Sequence, residues 1–208
     1  MRGRTLVLAI LTAAFAGPAA TLAQEGVKDW PCKGQTSDPL TVEAIWGGPL
    51  PGGATAAAWE SDAEVRAAVV FATEPENAPD TGIARLGELV PNLGVGAAKQ
   101  ARLASVAVGM VERSNILRGF ILEGVRNFTL SARILRTAVA DNDKAIADLP
   151  KEDAAAATRT NLTRVRRSNF MRMDDAEEEA EFLCTRLAYV EKKLRRLTAA
   201  VKSHFDAP

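Results

Sequence analysis

The chain has 208 residues, of which 47% are hydrophobic and 25% are charged, with 26 basic and 26 acidic side chains. This composition is typical of folded globular proteins and excludes collagen-like or wholly disordered chains. Aromatic residues make up only 5%, which favours closely packed helices over a β-sandwich. A single histidine and two cysteines exclude zinc fingers, haem attachment and iron–sulfur clusters.

Residues 1–23 have the pattern of a secretory signal peptide. Two arginines precede an apolar run from Leu6 to Phe15, and a cleavage site with small residues ends at Ala23. The run is too short for a membrane anchor, because crossing a bilayer takes about 20 apolar residues. We expect export to the bacterial periplasm, with secretion beyond it as the alternative, and a mature chain that begins at Gln24.

The two cysteines, Cys32 and Cys184, lie near opposite ends of that mature chain. Two cysteines in an oxidising compartment usually pair, and neither belongs to a C-x-x-C redox motif. We therefore predict a disulfide between them, with an intermolecular bridge as the alternative. On the chain-entropy model, closing so long a loop stabilises the fold by about 4–5 kcal/mol.

Residues 24–60 contain six glycines and all three tryptophans, and the stretch from 46 to 53 consists mostly of glycine and proline. Such a stretch is incompatible with regular secondary structure. We expect an irregular N-terminal strap whose tryptophans, Trp30, Trp46 and Trp59, dock on the body of the protein. Stacking of a carbohydrate or another ligand on these rings is the alternative.

Helical patterns begin at Ser61, which forms a capping box with Glu64, and residues 61–208 are predicted to form one helical domain. Two short helices are each ended by a proline. A third begins after Gly96, and its apolar run to residue 111 indicates burial on most sides.

Beyond residue 116, apolar residues recur in alternating steps of four and three through two long segments. This spacing predicts two helices with a coiled-coil-like seam, and Pro150 separates them, so we expect an antiparallel hairpin over about 116–205. The predicted fold class is therefore all-α, with shorter N-terminal helices packed against the hairpin. The predicted seam consists of Leu117, Ile121, Gly124, Phe128, Ser131, Leu135, Ala138, Asn142, Ala145 and Leu149 on the first helix, and of Leu162, Arg166, Asn169, Met173, Ala176, Ala180, Leu183, Leu187, Val190, Leu194, Leu197 and Val201 on the second.

Asn142 and Asn169 are amides within this seam. A buried amide without a partner costs about 1–3 kcal/mol, so we predict that the two lie opposite each other across the hairpin. The alternative is that both lie toward its open end and bond only to water.

Charge is segregated along the chain. Residues 24–95 carry 4 basic and 11 acidic side chains, whereas residues 151–173 carry 6 basic and 2 acidic ones. We expect the acidic N-terminal part to lie against the basic hairpin. Nucleic acid is not expected as a partner, because the chain is exported and its basic stretch lacks interleaved aromatic residues for base stacking. Contact of the second basic stretch, the helix from Leu183 to Val201, with a membrane surface is not favoured, because the apolar side of this helix already faces the seam.

Six carboxylates crowd residues 174–181, and helical spacing places Asp174, Glu177, Glu178 and Glu181 on one side. Calcium and lanthanide ions bind several converging oxygens, so these four are the candidate metal ligands. A solvated acidic face is the favoured interpretation of the cluster.

The sequence contains no nucleophile elbow, zinc-protease motif, phosphate-binding loop or dinucleotide fingerprint. Its one histidine, His204, lies near the C-terminus, where it is poorly placed for a catalytic triad. We therefore expect a non-catalytic, cofactor-free helical protein whose surface engages another periplasmic or envelope protein. The alternative function is a carrier of a small molecule or metal ion.

Overall fold

The computed structural model describes residues 30–50 and 56–205. The predicted signal peptide, residues 1–23, lies outside the described residues, as do residues 24–29 and 51–55 of the predicted strap. The chain divides into two units, Met1–Trp30 and Pro31–Pro208. All of the helices described below belong to the second unit.

The described residues form six α-helices and two short 3-10 turns, and they contain no strand. The turns are Val90–Leu93, after the fourth helix, and Asp153–Ala155, before the last. The predicted all-α class is therefore confirmed. The helices are α1 Val42–Trp46, α2 Ala56–Ser61, α3 Ala63–Thr73, α4 Pro79–Leu89, α5 Gly96–Ala147 and α6 Ala156–Ser203.

The predicted antiparallel hairpin is formed by α5 and α6, which have 52 and 48 residues. At 1.5 Å per residue each helix is about 70–80 Å long. The turn between them contains Pro150, as predicted, and the guanidinium of Arg159 donates to the carbonyl oxygen of Pro150 at 2.7 Å. Every predicted seam position of α6 is buried or half-buried.

The first arm of the hairpin is longer than predicted. The apolar spacing predicted a third short helix before a hairpin that starts near residue 116, but α5 is a single helix from Gly96 onward. No proline lies between the two predicted segments. The helix therefore propagates through them, because extending a helix is far easier than starting a new one.

The seam of α5 is displaced by one residue in its first half. The predicted positions 117, 121, 124 and 131 are half-buried, and Phe128 is exposed. An ideal helix drifts by about 20° per heptad from a 3.5-residue repeat, so one heptad column does not stay at the contact over the whole arm. The fully buried residues each follow a predicted position by one: Arg118, Leu122, Val125 and Ala132.

The start of the helical domain also differs from the prediction. Ser61 is the last residue of α2, and Asp62 caps α3 instead: its Oδ1 accepts from the backbone N–H groups of Glu64 and Val65 at 3.1 and 3.2 Å. The strap is less irregular than expected, because α1 and α2 lie within it. An alanine run precedes Trp59 in α2, and alanine has the strongest helix propensity of any residue.

The main core lies where the short helices pack against the start of α5 and the end of α6. Residues 103–111 of α5 are all buried, as the sequence predicted for this apolar run. The core cluster consists of Trp46, Trp59, Val65, Ala68, Val69, Ala72, Leu86, Leu89, Leu93, Leu103, Val106, Ala107, Val108, Met110, Val111, Leu194, Leu197 and Val201.

Candidate functional site

The strap is tied to the hairpin by a disulfide. Cys32 and Cys184 are bonded, with Cα atoms 5.0 Å apart and 152 residues between them in sequence. Cys32 is only 1% exposed, so the bond attaches the start of the strap to the interior side of α6. This is the pairing that the sequence analysis predicted.

Arg118 on α5 binds the strap through its backbone. The side chain is 1% exposed, and its guanidinium donates to the carbonyl oxygens of Thr36 and Asp38 at 2.7 and 2.9 Å. It also forms an ion pair with Glu191 of α6 at 3.0 Å. A buried charge is tolerated when it is paired and hydrogen-bonded, and here one arginine joins the strap to both long helices. This role of Arg118 was not predicted from the sequence.

Asn115, one turn before Arg118, binds the next part of the strap. Its Oδ1 accepts from the backbone N–H of Leu40 at 2.9 Å, and its Nδ2 donates to the carbonyl oxygen of the same residue at 2.8 Å. The side chain therefore satisfies both backbone groups of Leu40, which need partners when they leave water. Asn115, Arg118 and Cys184 together form the strap lock, and it holds residues 32–40 along the hairpin.

Trp46 and Trp59 are packing anchors, 6% and 4% exposed. The indole N–H of Trp59 donates to Glu112 at 2.8 Å, and its ring lies so close to Gly109 that a Cβ there would approach it to 2.7 Å. Trp46 meets Phe205 edge-on, with ring centroids 5.1 Å apart. Trp30 is half-buried. The rings of Trp46 and Trp59 are thus covered by the protein and are not open to stacking by a ligand.

Two lysines of α6 bind backbone carbonyls at the ends of short helices. Lys193 is 4% exposed and donates to the carbonyl oxygens of Glu74 and Asn77 just after α3, at 2.5 and 2.7 Å. Lys202 donates to the carbonyl oxygen of Trp46 at the end of α1. A positive charge is favourable at a helix C-terminus. Burial lowers the pKa of Lys193 below its usual range.

Basic side chains of the long helices pair with the acidic N-terminal helices, among them Arg102, before the predicted hairpin, and Arg196 within it. The basic stretch 151–173 lies instead at the turn end of the hairpin, so the expected contact is found only at the other end. Arg102 of α5 pairs with Asp62 at 2.7 Å and with Glu64 at 3.0 Å. At the other side, Arg196 of α6 pairs with Asp80 at the start of α4.

Acidification is expected to weaken the contact between Asp62 and Arg102. The hydrogen bond from Arg102 lowers the pKa of Asp62 below its usual range. A lowered folded-state pKa stabilises the fold above the unfolded-state pKa, and this stabilisation is lost as pH falls through the folded-state value. We expect Asp62→Asn to flatten the loss of stability below about pH 4, measured by urea unfolding at a series of pH values.

Asp80→Asn is the matched control for that experiment. Asp80 also pairs with an arginine, but its side chain is 78% exposed, and exposed ion pairs contribute little. The pH dependence of this variant should follow that of the wild type. An Asp62→Asn variant with the wild-type acid response would contradict the prediction.

The four predicted metal ligands do not converge on one point. Asp174, Glu177, Glu178 and Glu181 are all exposed, and Glu177 forms an ion pair across the hairpin with Arg136. In the part of the chain that the structure describes, no three Cys, His, Asp or Glu side chains are close enough together to hold a metal ion. The geometry gives metal binding by this cluster no support.

Asn142 and Asn169 lie at a similar level of the hairpin, because the neighbouring residues Asp143 and Arg166 form an ion pair between the two helices. Both amides are half-buried. Their interaction stays a prediction.

Replacing both asparagines by leucine should raise the melting temperature, because the seam then loses two half-buried polar groups. If the amides interact, each single replacement leaves the other amide without a partner. The rise in melting temperature from one replacement should then be less than half of the rise from both. The four melting temperatures form a double-mutant cycle. Strictly additive effects would show that the amides do not interact.

Two larger open grooves border the short elements that the structure describes. One of about 540 Å³ lies beside the disulfide between the strap and α6 and is lined by Lys33, Glu181 and Thr185, among others. The other, of about 440 Å³, runs along the outer face of α3 past Val70 and Phe71. Neither groove is lined by a tryptophan.

Large apolar side chains remain exposed on the long helices. On α6, Met171, Phe182 and Tyr189 are 57%, 55% and 42% exposed. Helical spacing places Asp175 and Glu178 on the same side of the helix. These five residues are called the α6 outer surface below.

The fold and the site define a helical hairpin to which an N-terminal strap is locked by a disulfide and a buried arginine. Comparison of the chain with known protein families, with characterised proteins and with solved structures found no match. Within the described residues, no helix combines the length and the apolar character needed to cross a bilayer.

Proposed function

We propose that the protein is an exported, non-catalytic helical module that binds another protein of the periplasm or cell envelope through the α6 outer surface. The observation that carries this proposal is the exposure of Phe182 and Tyr189 on a helix whose opposite side is occupied by the seam. Contiguous exposed apolar side chains mark interaction sites in soluble proteins. Aromatic residues are enriched at the centres of such interfaces.

The charges on this surface define the chemistry of the partner. Asp175 and Glu178 are exposed on the turns before Phe182, and the guanidinium of Arg186 lies over the Phe182 ring, 6.0 Å from its centroid, so the acidic part of this surface is its Asp175–Glu178 end. A complementary partner presents an apolar groove flanked by basic side chains, because matched charges direct the encounter and fix the register. The seam holds α6 rigid, so little conformational entropy is lost on binding.

Two further observations support export and a non-catalytic role. A disulfide between Cys32 and Cys184 fits an oxidising compartment, where such bonds persist. Among the described residues, the two most buried cationic side chains are those of Arg118 and Lys193, and both bind backbone carbonyls, so these charges serve the structure.

Site-specific photo-crosslinking in exporting cells tests the proposal. A photoreactive residue in place of Tyr189 should form one dominant adduct with another envelope protein. Arg195 is the control position, because it is exposed on a different side of α6, and a probe there should not form that adduct. Equal adducts from both positions, or none from Tyr189, would contradict the proposal.

Phe182→Glu should weaken binding of the partner protein and so complements the cross-linking experiment. The substitution places a charge at the centre of the α6 outer surface, and we expect adduct formation from position 189 to fall about tenfold or more. The melting temperature should stay within a few degrees of wild type, because exposed positions contribute little to stability. A shift of the melting temperature by calcium or by a member of a ligand panel would instead favour the carrier function.

A further inference from the structure

A second row of exposed apolar side chains lies on α5, on the side that faces away from α6. Ile116, Phe120, Leu130 and Ile134 are 51%, 70%, 54% and 60% exposed. Glu123 and Asn127 fall between them and complete a series of alternating steps of four and three residues, so all six residues lie along one line. This α5 stripe, consisting of Ile116, Phe120, Glu123, Asn127, Leu130 and Ile134, is about 27 Å long.

The α5 stripe has the same chemical order from either end, with two apolar residues, two polar residues and two apolar residues. If two stripes pair antiparallel about the level of Val125, Ile116 of each copy lies opposite Ile134 of the other. Phe120 then lies opposite Leu130, and the two polar positions of each stripe face those of the other. A twofold interface requires a patch that is complementary to itself, and this stripe meets that requirement.

We propose that a second copy of this chain covers the α5 stripe, and that the protein is an antiparallel, twofold-symmetric dimer. The dimer buries the most exposed large apolar side chains of α5 against each other. This proposal goes beyond the function proposed above and does not depend on it, because the partner-binding surface lies on α6.

The charges at the centre of the stripe favour this arrangement over a parallel one. Glu123 and the neighbouring Arg126 are both exposed. In the antiparallel dimer, Glu123 of one copy lies beside Arg126 of the other, and the twofold axis repeats the pair, so the four charges balance. A parallel dimer would place the Glu123 carboxylates of the two copies beside each other. Their repulsion disfavours the parallel dimer.

The neighbouring structure limits the contact to this stretch of α5. One heptad before Ile116, the same side of the helix is occupied at Gly109, where the ring of Trp59 lies within van der Waals distance. The short helices thus bound the stripe at its start, and beyond Ile134 the same line continues with the exposed polar residues Thr137 and Asp141. The two α5 helices of the proposed dimer meet at the level of Val125.

Sedimentation of the purified mature chain tests the dimer directly. Wild-type protein should be dimeric at about 100 µM, and Phe120→Glu should weaken self-association about 100-fold without loss of helical circular dichroism. Phe182→Glu, which places the same charge on α6, should leave the dimer intact. A monomeric wild type at this concentration would overturn the proposal, and so would an effect of Phe182→Glu equal to that of Phe120→Glu.

A charge exchange tests the antiparallel register. Glu123→Arg leaves only arginines at the centre of the dimer, and Arg126→Glu leaves only glutamates, so each variant alone should associate about tenfold more weakly than wild type. An equimolar mixture should form a heterodimer, because arginines of one copy then face glutamates of the other. Failure of the mixture to associate more strongly than either variant would overturn the register.

Cysteine cross-linking gives an independent measurement of direction. Positions 116 and 134 of different copies lie opposite each other only in the antiparallel dimer. A short thiol-specific cross-linker should therefore join the Ile116→Cys variant to the Ile134→Cys variant in a mixture of the two. Ile116→Cys alone should not cross-link to itself, because its equivalents are about 27 Å apart. Efficient cross-linking of Ile116→Cys to itself would show a parallel pairing and overturn the proposal.

Discussion

Replacing Arg118 by methionine should lower the free energy of unfolding by about 3–5 kcal/mol, which is exceptional for a single substitution. Methionine retains much of the apolar stem but removes every hydrogen-bond donor. Glu191, only 13% exposed, then loses its ion pair, and the carbonyl oxygens of Thr36 and Asp38 lose their donor. Each unsatisfied buried group adds about 1–3 kcal/mol.

Urea unfolding followed by circular dichroism measures this loss, with the disulfide intact in all variants. Arg167→Met is the control, because Arg167 is exposed on α6, and its effect should stay within about 0.5 kcal/mol. Hydrogen exchange should accelerate in residues 36–40 of the strap in the Arg118 variant only. A loss below about 1 kcal/mol would show that Arg118 does not hold the strap.

A second substitution separates the ion pair from the bonds to the strap. Glu191→Met in the Arg118→Met background should recover part of the lost stability, because it removes the carboxylate that the first substitution leaves unpaired in a mostly buried position. The carbonyl oxygens of the strap stay unsatisfied, so the recovery should be incomplete. Complete recovery would mean that the strap contributes nothing to the effect.

The role of Arg118 could not be predicted from the periodicity of α5. Two apolar columns of α5 overlap and differ by one residue. The first contains Leu117 and Ile121, and the second contains Leu122 and Val125 together with Arg118. A hydrophobic pattern alone favours the first column, because it has no arginine. The choice depends on the strap, whose carbonyls make burial of the guanidinium favourable. Those carbonyls lie about 80 residues away in sequence, beyond the reach of any local pattern.

The seam of α6, in contrast, was predictable because a single column of large apolar residues runs from Leu183 to Val201. Between Leu183 and Val201 the only other large apolar side chain is that of Tyr189. The exposed apolar rows on both helices could not be predicted for a related reason. A heptad pattern shows that a helix has a contact face, but it does not show how many contact faces the helix has. α5 carries its seam and the α5 stripe on opposite sides.

One position of α5 carried a signal that the sequence analysis did not use. Gly109 lies inside an apolar run, where glycine costs about 1 kcal/mol relative to alanine. A glycine at such a position indicates close approach of another group. The group is the ring of Trp59, which the sequence identified as a docking residue but could not place.

Removing the disulfide, with Cys32→Ala and Cys184→Ala, should lower the free energy of unfolding by about 4–5 kcal/mol, because the bond closes a loop of about 150 residues. Alanine is preferred to serine, because Cys32 is 1% exposed and a hydroxyl there would lack a partner. Non-reducing mass spectrometry of wild type should first show a monomer lighter by two hydrogens. A reducible dimer would instead support an intermolecular bridge.

The disulfide and Arg118 hold the same segment, so their effects should not add. The bond between Cys32 and Cys184 keeps residues 32–40 beside the hairpin, where Arg118 and Asn115 bind them. We expect its loss alone to free the strap, so that the bonds to Arg118 are already lost when Arg118 is then replaced. We expect the variant that combines both cysteine replacements with Arg118→Met to lose at least 0.5 kcal/mol less than the sum of the separate losses. Additive losses would show that the disulfide stabilises the hairpin independently of the strap, and that the strap lock is two separate contacts.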